Sequence, residues 1–120
     1  MVIIDAANVI GSRPTGWWRD RPGAARRFVE QVRACVREGR LEQPVVVVVE
    51  GQSRQGPPEG ASDGVEVVHA AGEGDDTIVK IAEGTTDVVV ITADRELIRR
   101  VRAIGADVRG PNWLLDRLES

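Results

Sequence analysis

The class of fold of this 120-residue chain is indicated most clearly by residues 45–51, Val45-Val46-Val47-Val48-Val49-Glu50-Gly51. Five consecutive valines predict a strand, because side chains branched at Cβ favour extended backbone. An apolar residue at every position indicates that both faces of this strand are covered, as in parallel sheets that lie between layers of helices. Glu50 and Gly51 end the run, so we expect them at the carboxyl edge of such a sheet.

Four further apolar runs and several helical patterns surround this strand. The additional strands are predicted over residues 2–4, 65–68, 88–91 and, more weakly, 106–109. Between them, apolar residues recur every three or four positions, which is typical of helices with one buried face. The predicted helices cover residues 22–38, 76–83 and 95–104, and a last helix begins at Pro111.

This alternation predicts an α/β three-layer sandwich with a Rossmannoid arrangement. We expect a mainly parallel sheet of roughly five strands, helices on both faces and right-handed crossovers. The length of the chain suits a single domain, residues 1–120, with a sizeable core. Two loops, residues 11–21 and 51–64, follow the carboxyl ends of strands and should lie beside a functional site.

The charge is unevenly distributed along the chain. Residues 1–44 carry a net charge of +3 and residues 45–120 carry −6, which gives the total of −3. Because local potential governs the attraction of phosphates, an acidic total does not exclude a nucleic-acid substrate. It does argue against tight, non-specific binding of duplexes.

Composition and cysteine usage indicate where the protein works. No apolar run approaches the roughly 20 residues of a membrane helix, and Met1 leads into a strand rather than a targeting leader. The single cysteine, Cys35, fits a reducing compartment and should be a small buried hydrophobic residue. We therefore expect a cytoplasmic protein without a membrane partner.

Acidic residues follow the strand ends. Asp5 ends the first strand, Glu50 ends the second, and Asp94 lies just beyond the fourth. The carboxyl ends of parallel strands meet at one edge, so these acids should gather where the strand order reverses. Two unit charges about 4 Å apart repel by roughly 4 kcal/mol at an effective dielectric near 20, which a divalent cation would relieve. A second acidic cluster opens the helix before the fourth strand and comprises Glu73, Asp75 and Asp76.

Carboxylates without nearby His or Cys ligands suit a hard cation such as Mg²⁺ or Mn²⁺, whose natural chemistry here is phosphodiester hydrolysis. Each acid also has a purely structural interpretation. Asp94 could be a helix N-cap, Asp76 could favour the positive end of its helix, and Glu50 and Glu73 could be ordinary loop acids. Asp5 is harder to explain in this way, because its apolar neighbours would desolvate its charge.

Four short motifs occur along residues 2–97. They are Asp5-Ala-Ala-Asn8 after the first strand, Val47-Val-Val-Glu-Gly51 at the second, Glu73-Gly-Asp-Asp76 at a helix start, and Ile91-Thr-Ala-Asp-Arg-Glu-Leu97. In kind and order they resemble the motifs of NYN domains, the group of PIN-like nucleases that includes the YacP-like ribonucleases. This resemblance implies a PIN-like fold and a metal-dependent ribonuclease.

The resemblance also implies a ligand set. Asp5, Asp75 and Asp94 would be the main metal ligands, and the other acids would be further ligands or would hold water at the metal. Those other acids are Glu50, Glu73 and Asp76. Glu50 departs from the Asp usual in the family, and the choice between Asp75 and Asp76 stays open, as does the number of metal ions.

The loop of residues 11–21 suggests the substrate. Trp17 and Trp18 lie between arginines, and an exposed tryptophan can stack on an unpaired base for about 1 to 3 kcal/mol. Arginine can hold phosphates. This favours single-stranded RNA, although one tryptophan could instead pack the loop onto the sheet. The candidate substrate-binding residues are Asn8, which would orient Asp5 or contact a phosphate, and Arg13, Trp17, Trp18, Arg19, Lys80 and Arg95.

Three functions stay open. The first is a metal-dependent ribonuclease, the second a PIN-like module that binds RNA or protein without cutting, and the third a metal-dependent hydrolase of small nucleotides. The sequence favours the ribonuclease, because a binding module has no need of acids at every strand end. A homodimer and a ribosome- or RNA-associated partner are further hypotheses. Dinucleotide-binding and P-loop proteins lose support, because their glycine motifs are absent.

Overall fold

The computed structural model describes residues 1–120 and contains a six-stranded sheet with five α-helices. The strands are β1 (Val2–Asp5), β2 (Val45–Val49), β3 (Gly60–Ser62), β4 (Val65–His69), β5 (Val89–Ile91) and β6 (Asp107–Arg109). The helices are α1 (Ala6–Gly11), α2 (Arg21–Arg37), α3 (Gly74–Glu83), α4 (Arg95–Ala103) and α5 (Pro111–Leu118). Two short 3₁₀ turns cover Trp17–Arg19 and Gly51–Gln55.

The strand order is β3-β4-β2-β1-β5-β6, and all neighbouring strands are parallel except β3 and β4. From β1 the chain proceeds to β2 and β4 on one side, and α3 then carries it back to β5 on the other side. The direction of winding therefore reverses at β1. In α/β proteins such a reversal opens a crevice at the carboxyl ends of the strands, where ligands bind.

The predicted fold class is confirmed, with two elements added. The short strand β3 lies in the segment predicted to be a loop, and α1 follows β1 directly. β3 is exposed and pairs only with β4, so its position depends on backbone hydrogen bonds and leaves no apolar pattern in the sequence. The sheet therefore has six strands rather than roughly five.

The strand side chains alternate between two cores, one on each face of the sheet. Ile4 and Val47 belong to the core shared with α1, α2 and α5, which also contains the fully buried Cys35, as predicted. Ile3 and Val46 belong to the core shared with α3 and α4. Both faces are covered, which explains why β2 consists entirely of valine. None of the helices has the length and apolar character that crossing a membrane requires.

The 3₁₀ turn after β2 packs tightly against the start of α2. At Gly56, a Cβ atom would lie 2.0 Å from the carbonyl oxygen of Pro22. Two backbone segments thus approach each other at a distance that only glycine permits. This contact fixes the position of the loop beyond the carboxyl end of β2.

Replacing Gly56 by alanine should destabilise the protein by roughly 1 to 3 kcal/mol, because the two backbone segments must move apart. Urea denaturation measures this change in the free energy of unfolding. Gly72→Ala is the matched control, since Gly72 has an open environment around the position of a Cβ atom. Equal stability of the two variants would show that the contact contributes little.

Candidate active site

The alternation along the strands places three polar side chains on the same side of the sheet. Asp5 lies two residues after Ile3, so its side chain points to the same face of the sheet. Glu50 still has an extended backbone, so its side chain follows the alternation of β2 and points to that face as well. Thr92 follows β5 and still bonds to the neighbouring strand through its backbone N–H. All three side chains therefore lie at the carboxyl edge, on the side of α3 and α4.

Asp5 is the buried acid at the centre of this edge, with 6% of its surface exposed. Its Oδ2 accepts a hydrogen bond from the Thr92 hydroxyl at 2.9 Å, and its Oδ1 accepts one from the Asn8 backbone N–H at 3.4 Å. Burial raises the pKa of Asp5 from an ordinary 3.8 to about 6; these hydrogen bonds oppose the rise, and the charges of Asp75 and Glu50 add to it.

Glu50 joins the end of β2 to the start of α3. Its Oε2 accepts a hydrogen bond from the backbone N–H of Gly74 at 3.0 Å. This bond brings the next residue, Asp75, among the other acids. Burial raises the pKa of Asp75, and the negative charges of Asp94 and Glu50 raise it further.

The two aspartates that open α3 have different environments. Asp76 forms an ion pair with Arg100 at 3.0 Å, and 74% of its side chain is exposed. Asp75 is partly buried and influenced by Asp94 and Glu50, the acids of two other segments. Consecutive helical residues point about 100° apart, so only one of the two can face the crevice. The structure places Asp75 at the acidic edge and Asp76 on its outer side.

Asp94 and Asn8 join β1 and β5 across the crevice. Asp94 caps α4, since its Oδ1 accepts a hydrogen bond from the Leu97 N–H at 3.0 Å. The Asp94 N–H donates to the Thr92 hydroxyl at 3.1 Å, and the Ala93 N–H donates to the Asn8 side-chain oxygen at 2.8 Å. Asn8 thus contacts Asp5 through its backbone, whereas its side chain holds the loop after β5.

Thr92 is the residue of this site that sequence reasoning did not single out. Its hydroxyl donates to Asp5 and accepts from the backbone of Asp94, so it orients two of the acids at once. The sequence contains a signal for Thr92, because it directly follows an apolar strand and its side chain points to the same face of the sheet as that of Val90.

The interpretation of Asp94 as an N-cap was also correct, and its second oxygen accepts no hydrogen bond.

The donor chemistry of this edge fits a hard cation. The side chains are carboxylates, and the buried Asp5 lies near other negative charges, which a divalent ion would neutralise. No group of three or more Asp, Glu, His or Cys side chains has the arrangement of a ready-made metal site. Glu50 and Asp94 instead each use one oxygen to accept a backbone N–H at the start of a helix, from Gly74 in α3 and from Leu97 in α4. A cation would therefore bind together with small rotations of these side chains.

Trp17 forms part of a cleft beside Glu50 and Glu73 that has a volume of about 350 Å³. It is half-buried, and a Cβ atom at Gly11 would lie 3.6 Å from its ring. Trp18 is half exposed and does not line the cleft. Of the two tryptophans, Trp17 therefore packs the loop against the end of α1.

The other predicted substrate residues are dispersed. Arg19 lies over the ring of Trp18 at 5.6 Å. Arg13 pairs with Glu119 and lines a different groove on the α5 side. Lys80 is exposed in the last turn of α3, away from the strand ends, and Arg95 is exposed at the first position of α4.

Fold and site together describe an α/β sandwich with an acidic crevice at the point where its winding reverses. Solved structures with this fold include Rae1 (YacP) from Bacillus subtilis, with a TM-score of 0.73 and 20% sequence identity over 99% of this chain and 73% of that chain. The W164L mutant of the same protein gives a TM-score of 0.72 and 21% identity over 98% and 73%. At this identity the likeness establishes the fold. No family model and no curated protein matches the sequence.

The raised pKa of Asp5 predicts a pH-dependent stability. Its folded pKa of about 6 exceeds the ordinary 3.8, so the folded state binds the proton more tightly than the unfolded chain. The resulting stabilisation is complete below pH 4 and is lost as the pH rises through 6. At pH 8 the charged carboxylate therefore costs up to about 3 kcal/mol relative to acidic pH.

Asp5→Asn removes this titration. Without divalent cations, the difference in the free energy of unfolding, variant minus parent, should increase by about 1 to 3 kcal/mol between pH 4.5 and pH 8. Urea denaturation at several pH values measures the difference. Parallel pH curves for the two proteins would contradict the raised pKa.

Proposed function

We propose that this protein is a metal-dependent ribonuclease of the NYN type that hydrolyses phosphodiester bonds in single-stranded RNA. One observation carries the proposal: the buried carboxylate of Asp5 lies at the switch point of the sheet, where the charges of Asp75 and Glu50 act on it. An uncompensated cluster of this kind destabilises the fold, so it is characteristic of functional sites. The proposal treats residues 1–120 as one domain that works in the cytoplasm.

Mg²⁺ or Mn²⁺ would be held by Asp5, Asp75 and Asp94, with Glu50 and Glu73 completing the site. When bound, such an ion lowers the pKa of water and stabilises negative charge on a phosphoryl group. Carboxylate ligands with waters in the remaining positions suit the octahedral preference of Mg²⁺.

The chain itself supplies orientation. Thr92 holds one oxygen of Asp5 and the backbone of Asp94, so the two acids keep a constant spacing across the crevice. Asn8 strengthens this connection through Ala93. Catalysis of phosphoryl transfer depends largely on such positioning, because little covalent chemistry falls to the protein.

The surroundings of the acidic edge support RNA as the substrate. Arg21 lines the cleft beside it, is exposed and forms no ion pair, so its charge is available to phosphates. The half-exposed Trp18 offers a surface for an unpaired base. The fold likeness to YacP agrees with the motif resemblance to the YacP-like ribonucleases. A homodimer and a ribosome- or RNA-associated partner stay predictions from the sequence.

A module that binds RNA or protein without cutting is the second candidate. It is favoured by one observation, namely that the acids do not form a ready-made metal group. In such a module the same acids would act only as helix caps, as Asp94 and Asp5 do for α4 and α1.

The test is cleavage of unstructured RNA in the presence of Mn²⁺. Asp5→Asn and Asp94→Asn should each lower the rate at least about a hundredfold, since each removes a charged ligand. Asparagine is as good an N-cap as aspartate, so both variants should stay folded, which circular dichroism checks. Asp107→Asn, at an exposed position in β6, is the matched control.

Equal cleavage by all variants would identify a contaminating nuclease and refute the assignment. Binding of Mn²⁺ by calorimetry without cleavage of any nucleic acid would instead support the binding module. Chelation by EDTA should abolish the activity of the parent, and added Mn²⁺ should restore it.

The two aspartates of α3 allow a second comparison. We expect Asp75→Asn to lose cleavage and Mn²⁺ affinity together, because Asp75 lies among the acids. Asp76→Asn should change both far less, since its side chain is largely exposed and pairs with Arg100. Measuring rate and affinity for each variant checks this, and the reverse order would place Asp76 at the metal.

A further inference from the structure

The cleft beside the acidic edge has two chemically different walls. One wall belongs to α1, the following loop and the start of α2; the other belongs to the 3₁₀ turn Gly51–Gln55. Glu50 and Glu73 lie at the end that joins the acidic edge. The side chains that define its chemistry are Ile10, Trp17, Arg21, Gln52 and Ser53.

These walls match the surface of a nucleobase. The indole of Trp17 and the side chain of Ile10 are apolar, as are the faces of a base. Gln52 and Ser53 can both donate and accept hydrogen bonds, as the edge of a base requires. Proteins recognise unpaired RNA bases through this combination of an aromatic surface and edge contacts.

Arg21 adds a positive charge to the cleft. Its guanidinium group lies over the Trp17 ring at 5.1 Å, it is exposed, and it forms no ion pair. A phosphate attached to the bound nucleoside would find this charge within the same cleft, opposite the acids at Glu50 and Glu73. The cleft therefore combines a base-binding and a phosphate-binding element.

The size of the cleft selects a single nucleotide. About 350 Å³ lies near the lower limit of pockets for small molecules, which begin at roughly 300 Å³. One nucleotide fits this space. A base whose pairing edge bonds to Gln52 and Ser53 cannot pair with a complementary base, so an RNA that binds in this way is single-stranded at that position.

The polar wall is held rigidly. The Arg54 side chain donates hydrogen bonds to the carbonyl oxygens of Gly51 at 3.2 Å and Ala70 at 3.3 Å. Gly56 locks the far end of the turn against Pro22. Gln52 and Ser53 are thus presented from a backbone that is already ordered, which lowers the entropic cost of binding.

We infer that this cleft is a base-recognition subsite, which binds one unpaired nucleobase of an RNA whose adjacent phosphate lies at the acidic edge. The assignment of that phosphate rests on the proposed function, whereas binding of the base does not. The subsite would make cleavage depend on the identity of the nucleotide next to the scissile bond.

Binding of nucleotides to the metal-free protein tests the subsite separately from cleavage. AMP, GMP, CMP and UMP are titrated one by one and followed by calorimetry, with ribose 5-phosphate as the probe that lacks a base. At least one nucleotide should bind about tenfold or more tightly than ribose 5-phosphate, because base stacking adds to the phosphate contact. A trinucleotide with the preferred base should bind more tightly still.

Two variants locate the binding. Trp17→Leu and Gln52→Ala should each weaken nucleotide binding about fivefold or more and leave ribose 5-phosphate binding unchanged. Gln31→Ala, an exposed amide on α2 outside the cleft, is the matched control for Gln52→Ala. Thermal melting verifies folding, and Gln52→Ala keeps the test decisive if Trp17→Leu unfolds.

The outcomes separate the two proposals. Selective nucleotide binding without cleavage of any RNA would support the subsite and refute the ribonuclease. Cleavage with no difference between nucleotides and ribose 5-phosphate would support the ribonuclease and overturn the subsite. Equal affinity for the trinucleotide and the mononucleotide would overturn the assignment to RNA, since a free nucleotide would then be the occupant.

Discussion

The hydrogen bond from the Thr92 hydroxyl to Asp5 is the interaction on which the acidic edge depends. It joins the ends of β1 and β5 on either side of the switch point, and it opposes the rise that burial causes in the pKa of Asp5. The same hydroxyl accepts the backbone N–H of Asp94, so one side chain sets the spacing of two acids. Without this bond the charge of Asp5 would have weaker compensation, because its other hydrogen bond, from Asn8, is long at 3.4 Å.

The structural role of these acids is compatible with the proposed function. Asp5 and Asp94 each cap a helix, and Glu50 binds the first backbone N–H of α3. A capping bond uses one carboxylate oxygen and orients the group, and in Asp94 it leaves the other oxygen without a partner. Helix caps at strand ends therefore orient these acids, and they explain how so much negative charge is tolerated at one edge.

The basic and acidic parts of the chain supply different regions of the folded protein. The basic first third supplies Arg21 in the cleft, whereas the acidic remainder supplies Glu50, Asp75 and Asp94 at the edge. A polyanion would be attracted to the first region and would meet the second only through a bound cation. The net charge of −3 conceals this separation, since opposite charges from distant parts of the chain lie next to each other.

The layered α/β fold and the acids at the strand ends were predictable from the sequence. Runs such as Val45–Val49 and the residues that end them are local patterns, and parallel strands bring their carboxyl ends to one edge whatever the details. Packing in three dimensions places Asp75 rather than Asp76 among the acids, pairs Arg13 with Glu119 outside the cleft, and adds the strand β3. These outcomes depend on the rotation of a helix about its axis and on contacts between residues far apart in the chain, which no local pattern encodes.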